Sequence, residues 1–215
     1  MRVQDLKRAV VLQLAVIYTR YLLGGAFVFA SIIKIKGHRF TTLSGELSPI
    51  NSAMHFFETM YQSGLYWQFI GLGQCVAGLL LLTQRYALLG AVLFLPIISN
   101  VFVITVSYSF FGLTPLITGA MLLATVGLLA WDANSLQPLL NRPSVELPTS
   151  ALYQSKIWEV AGLLLFMSTA GYRAFIDHYD FLLWAGVCTA LGGAALLAAW
   201  LRYRKQQPAA VPQGF

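Results

Sequence analysis

Charge is what this chain has least of. Only 10% of its 215 residues are Asp, Glu, Lys or Arg, against about 25% in an average soluble domain. In their place, 58% are hydrophobic and the mean hydropathy is +0.69. A surface this poor in charge excludes an ordinary soluble domain. Cysteine is nearly missing too: Cys75 and Cys188 are the only two. They form no C-x-x-C, which excludes a disulfide framework and a thioredoxin-like motif and leaves small apolar packing residues. No Walker loop, dinucleotide fingerprint, G-x-S-x-G or H-E-x-x-H occurs, and no paired histidines within apolar runs offer themselves as haem ligands. No self-sufficient catalytic motif is present, so whether the chain is an enzyme stays open.

What is there is a series of long apolar runs. Hydropathy marks six of them, at 10–33, 66–82, 87–106, 110–131, 157–175 and 181–201. Each approaches the roughly 20 residues that cross a bilayer as a helix. The expected fold is all-α: a polytopic membrane bundle of six transmembrane helices. The second run is short, and a re-entrant segment is its alternative. The first is too long for a removable signal peptide and lacks a small-residue cleavage site, so it reads as a retained anchor.

The net charge of +6 reads as topology rather than as a nucleic-acid surface. One set of span ends holds nine cations (Arg2, Lys7, Arg8, Arg85, Arg142, Lys156, Arg202, Arg204 and Lys205) and the other holds Lys34, Lys36, Arg39 and Arg173. Cytoplasmic loops collect Lys and Arg, which places both termini in the cytoplasm. Trp67, Trp131, Trp158, Trp184 and Trp200 lie near span ends, as interfacial tryptophans do.

Short links at 83–86, 107–109 and 176–180 make antiparallel hairpins. Two links are long. That at 132–156 holds Pro138, Pro143 and Pro148, which break helix and imply an extended cytoplasmic linker. The chain thus divides into a four-helix core at 1–132, a linker at 133–156, and a C-terminal transmembrane hairpin and tail at 157–215. The outer link contains its own helix: Ser48 and Pro49 open it, Ile50 to Gln62 continue it and Gly64 stops it. Asn51, His55, Glu58 and Gln62 share one face, and Ile50, Met54, Phe57 and Tyr61 the other. Such an amphipathic helix lies in the membrane interface as a lid. Alanines at four-residue spacing, Ala26/Ala30 and Ala190/Ala194/Ala198, let helices approach closely. The hexapeptide Val76–Leu81 echoes Val160–Leu165 across spans of opposite direction, as an inverted repeat would.

Candidate site residues start from Arg20, near the middle of the first run. A cation at that depth costs about 2.5–3.5 kcal/mol on insertion scales and normally turns toward protein or water. Gly24, one turn on, leaves room beside it for a partner helix or a ligand headgroup. Counting 1.5 Å per residue from the inner end puts Arg20 about 15 Å up, Gln74 about 12 Å, Asn100 and Thr118 about 20 Å and Thr125 about 9 Å. These form one central polar layer, with Pro96 freeing a carbonyl nearby. The acids Asp132 and Glu159 lie near the inner surface, and Glu159 meets Arg20 if the guanidinium snorkels inward. The layer reads as a lock for the bundle or as a site for a quinone carbonyl, polar headgroup or anion, the remaining alternative being a lipid-facing arginine that snorkels to the interface. On the outer side His38, His55, Glu58 and His178 are candidates for proton handling or a metal, although scattered surface histidines are common and no metal is expected.

These residues carry a resemblance. Arg20-Tyr21-Leu22-Leu23-Gly24, Phe29-Ala30-Ser31 and Lys34 resemble the opening pattern of the DoxX/DoxD family of small bacterial membrane proteins. Ile70-Gly71-Leu72-Gly73-Gln74, Gly78 to Leu82, Arg85 and Gly90 resemble its glycine-rich hairpin, and Trp131-Asp132 the end of its fourth helix. The similarity covers about 10–132. It implies a four-helix bundle, with the last two spans an addition, and a role beside a separate redox subunit in quinone-coupled sulfur or thiol oxidation. The family often has glutamate near Gln74, so no acid–base role is implied there. The leading expectation is a redox-associated subunit that binds a quinone or lipid headgroup at the arginine, with no intrinsic cofactor. The alternatives are an inverted-repeat transporter of lipids or small molecules, or a structural assembly subunit of a membrane complex.

Overall fold

A computed structural model describes Lys7, Pro143 and residues 9–40, 43–108, 112–141, 155–177 and 180–206. Among the described residues there is no strand. The helices in chain order are α1 Val10–Ile35, α2 Ala53–Gln62, α3 Leu65–Leu82, α4 Ala87–Ser107, α5 Thr114–Trp131, the short α6 Ala133–Leu136, α7 Lys156–Phe175 and α8 Phe181–Gln206. Five of them, α1, α3, α4, α5 and most of α8, are long and apolar enough to cross a membrane. The chain is therefore built as a multi-pass integral membrane protein, with its exposed apolar faces turned to the bilayer. The sixth expected span, α7, has 20 residues but carries Lys156, Glu159 and Arg173 and falls outside those five.

Local chemistry sets the ends. Gly64, at φ +60°, lets α2 turn directly into α3, a conformation that costs glycine little. Pro115 sits in the first turn of α5, where its missing N–H is no loss. Ser155 caps α7 by accepting from the Ile157 amide, and Glu159 and Arg173 stand in its first and last turns, the ends that favour their charges.

Two expectations about the links change. The lid helix starts at Ala53, not Ile50: Ser52 is its cap and accepts from the His55 amide at 3.2 Å. Pro49 belongs to the preceding turn, where its carbonyl accepts from the Ser52 amide. The linker is not extended where it begins. Ala133–Leu136 and the 3-10 turn Gln137–Leu140 are helical, because Pro138 falls in an opening turn that tolerates it. Asn141, at φ +55°, ends the run; Pro148 lies outside the described residues.

α1 is the axis of the bundle: 61% of its most apolar window is buried, against 17% in α5 and α8. One side of α1 joins α7 and α8 in a cluster of Ile17, Tyr21, Val28, Trp158 and Leu165. The other joins α3 and α4 through Leu23, Phe27, Leu81, Phe94 and Ile98, with Phe27 and Phe94 stacked at 3.5 Å. Glycine permits both contacts. A Cβ on Gly24 would lie 2.8 Å from the Gly78 carbonyl oxygen, and one on Gly78 would lie 2.7 Å from that of Gly24. A Cβ on Gly162 of α7 would overlap the Leu82 carbonyl. On α8 the protein-facing small residues are Gly192, Ala195 and Ala199, while Ala190, Ala194 and Ala198 are exposed.

Backbone contact at these glycines makes a specific prediction. Gly162→Ala and Gly78→Leu should each destabilise the bundle by about 1–3 kcal/mol, as overpacking does, and lower the thermal midpoint in detergent. Gly127→Ala, where nothing lies within 4 Å of an added Cβ, should leave the midpoint unchanged or raise it.

Candidate functional site

Arg20 is 1% exposed and turned into the protein. Its Nη2 donates to Asp132 Oδ2 at 2.7 Å and its Nη1 to Gln84 Oε1 at 3.2 Å. Asp132 terminates α5, and Gln84 lies in the α3–α4 turn at φ +59°. The Gln84 amide also donates to the Ile17 carbonyl at 3.4 Å, closing a loop of bonds back onto α1. The guanidinium thus reaches toward the expected inner end, and the carboxylate that meets it is Asp132. Charge-assisted bonds of this length are the stronger kind. Gln84 escaped the sequence reading because a turn residue has no helical period to place it on a face.

The other members of the expected polar layer do not gather around Arg20. Gly24 is filled by the backbone of α3, so the room beside the guanidinium is taken by the partner helix. Thr118 shares its hydroxyl with Thr105 at 2.9 Å and with the Thr114 carbonyl, and Thr125 donates to Met121. Asn100 is exposed on α4. Gln74 is buried, and its Oε1 has no partner among the described residues.

The outer candidates also separate. Glu58 is buried and clasped by Arg39, whose Nη2 reaches Oε1 at 2.7 Å and whose Nε reaches Oε2 at 2.9 Å. The Gly45 amide donates to the same carboxylate at 3.0 Å. His38 Nδ1 stands 3.5 Å from Asp177, which also accepts from Lys36. His55 keeps its Nδ1 buried without a hydrogen-bond partner among the described residues, and His178 lies outside them. No group of three or more metal-ligating side chains occurs among the described residues. Electrostatics follow the pairs. Arg39, first through its hydrogen bonds, holds the Glu58 carboxyl below the usual 4.5, and Lys36 does the same for Asp177.

An open space lies elsewhere. A cavity of about 370 Å³ sits between α1, α7 and α8, walled by Tyr18, Tyr21, Gly25, Trp184, Cys188 and Gly193. Its polar groups are already engaged: the Tyr18 hydroxyl donates to the Gly192 carbonyl at 2.7 Å, and Trp184 Nε1 donates to Thr169 at 3.1 Å. The remaining wall is apolar. Aromatic and small residues spread over three helices carry no motif, which is why sequence reading passed over this space. Both cysteines are free thiols, as expected.

No family model, no curated protein and no solved structure matches this chain.

Two predictions follow from the ion pairs. Asp132→Leu strands a guanidinium with no access to water and should cost about 3–5 kcal/mol. Arg20→Met should cost less, since Asp132 is 19% exposed and can hydrate. The double variant should recover most of the loss in denaturant unfolding; additive losses would show that the two residues are not coupled. For Glu58 the folded pKa lies below the unfolded one. Its clasp on Arg39 and Gly45 is therefore complete above pH 4.5 and fades as the pH falls through the depressed value. Hydrogen exchange over 43–62, corrected for intrinsic rates, should rise on acidification, and Glu58→Gln should show the same loss of protection at neutral pH.

Proposed function

We propose that this chain is an inner-membrane subunit that holds a lipid-soluble ring compound of the quinone class in the α1/α7/α8 cavity. The observation that carries the reading is the cavity itself. Its volume falls in the range of about 300–1,000 Å³ typical of small-molecule sites. Tyr18, Tyr21 and Trp184 offer aromatic faces and edges to a planar ring, and an apolar wall suits a molecule that arrives through the bilayer. The Tyr18 and Thr169 hydroxyls are the groups able to turn toward a ring carbonyl. Arg20 has no part in that pocket. In this reading it is a lock, and the expected headgroup contact at Gly24 is replaced by helix packing.

The similarity of Arg20 to Gly24, the 70–90 hairpin and Trp131-Asp132 to DoxX/DoxD proteins supports a role beside a separate redox subunit. The nine-to-four distribution of Lys and Arg over the two ends supports cytoplasmic termini. Six spans fit better than five: α7 has 20 residues with its charges at its two ends, so its middle is as free of charge as a span requires. A second reading, a structural assembly subunit with lipid in the cavity, is favoured by one observation: the polar groups of the cavity wall already satisfy one another.

A photoreactive quinone analogue, cross-linked to the purified protein and mapped by peptide mass spectrometry, separates the two. The quinone reading expects saturable labelling on α1, α7 or α8, competed by unlabelled quinone. Gly193→Phe, where an added side chain meets open space, should weaken binding at least about tenfold, roughly 1.4 kcal/mol, without lowering the thermal midpoint. Labelling that does not saturate, or that maps to α3–α5, would leave the structural reading standing.

A further inference from the structure

The turn that precedes α2 holds two large apolar side chains out of the protein. Leu47 is 99% exposed and Ile50 is 79% exposed. The segment around them is closely tied down. The Gly45 amide donates to Glu58, the Ser48 amide donates to the Gly45 carbonyl, and the Ser52 amide donates to that of Pro49. A Cβ on Gly45 would overlap the Met54 backbone, so the turn lies against α2 as closely as backbone allows. Arg39 pulls the same carboxylate from the other side. This clip gives Leu47 and Ile50 a fixed outward direction. Exposed apolar groups on an ordered element commonly mark a surface that something covers.

The neighbouring surface identifies the cover. α2 passes through Ser63 and Gly64 straight into α3, whose exposed stripe is Leu65, Phe69, Leu72 and Val76. These recur at four-, three- and four-residue intervals, one face of a helix that crosses the membrane. The apolar turn therefore packs on the helix that leads directly into the outer end of a lipid-facing span.

We infer that Leu47 and Ile50 insert into the adjoining leaflet of the bilayer and that the Glu58 clip positions them there as a shallow membrane anchor. Glu46, exposed immediately before Leu47 in sequence, limits the depth to the headgroup boundary, where a carboxylate keeps its water. Arrangements of this kind bury apolar side chains a short way below the headgroups. The inference is independent of what occupies the α1/α7/α8 cavity.

Site-directed spin labelling tests it on the full-length chain with Cys75→Ala and Cys188→Ala. Single cysteines replace Leu47, Ile50 or Lys205, the last an exposed cation at the end of α8 that serves as the reference, and the protein is reconstituted in phosphatidylcholine vesicles. At 47 and 50 the label should collide with oxygen, which concentrates in lipid, several-fold more than with a water-soluble nickel chelate, relative to Lys205. A collision ratio equal to that at Lys205 would place the turn in water and overturn the inference. Low collision with both would show a protein cover, either a second copy or a soluble partner, and would overturn it equally. Leu47→Trp in the otherwise unaltered chain gives the second measurement: its added fluorescence should be quenched by brominated phosphatidylcholine, and absence of that quenching is a refutation.

Discussion

Burying one guanidinium inside a chain surrounded by lipid constrains the whole bundle. Arg20 has no water to turn to, so its charge must be met by protein groups, and those groups must come from elsewhere in the chain. They come from the α3–α4 turn, through Gln84, and from the end of α5, through Asp132. One side chain therefore ties α1 to both hairpins packed on its α3–α4–α5 side. The tie is directional. Replacing the pair by apolar groups need not cost stability, but leaving either partner alone does, so it favours this arrangement of helices over others that bury the same apolar area.

Around that tie, glycine decides how closely the helices approach. Gly24 and Gly78 bring the backbones of α1 and α3 together, and Gly162 brings α7 onto the end of α3. In lipid, where burying apolar surface offers little drive for helix association, such close packing is what binds helices. The same residue type has the opposite effect at Gly25 and Gly193, which face the cavity. There no backbone advances into the space the missing side chain leaves: an added Cβ would meet only the Trp184 ring, at 3.9 Å, from Gly25 and nothing within 4 Å from Gly193. Whether a glycine closes a gap or opens one depends on what stands opposite, which composition does not record.

That dependence explains what could be read from the sequence. The membrane class, the long apolar helices, the short hairpin links and the existence of an outer helix all follow from hydropathy and from strong local signals such as Gly64. The start of α2 was placed a turn too early, because Ser48 and Pro49 have the chemistry of a helix opening and the cap that forms is Ser52. Ser52 prevails once Gly45, held by Glu58, commits Ser48 and Pro49 to a preceding turn, a tertiary fact. The partners of Arg20 were hard to see for a related reason. Depth counted along straight helices set Asp132 at the inner surface, apart from Arg20, and inward reach of the guanidinium was matched to Glu159, whereas it meets Asp132 at the end of α5. Gln84, in a left-handed turn, lies beyond any periodic argument. The alanines of α8 misled because small residues populate more than one of its faces, and Gly192, Ala195 and Ala199 form the buried one.

Arg20 and the cavity occupy opposite sides of the same helix, and this separation bears on how the protein can act. The α3–α4–α5 side of α1 carries the buried charge and a well-filled core, with stacked Phe27 and Phe94. The α7–α8 side carries hydroxyls bonded to backbone, aromatic rings and unfilled volume. A ligand entering the second side need not disturb the ion pair, since Arg20, Gln84 and Asp132 are not part of the cavity wall. Its cost of entry is limited to exchanging bonds such as Tyr18 to Gly192, each neutral and each replaceable by a bond to the ligand. A charged, well-filled face on one side and neutral polar contacts around a cavity on the other divide the work of α1 between holding the fold and lining open volume.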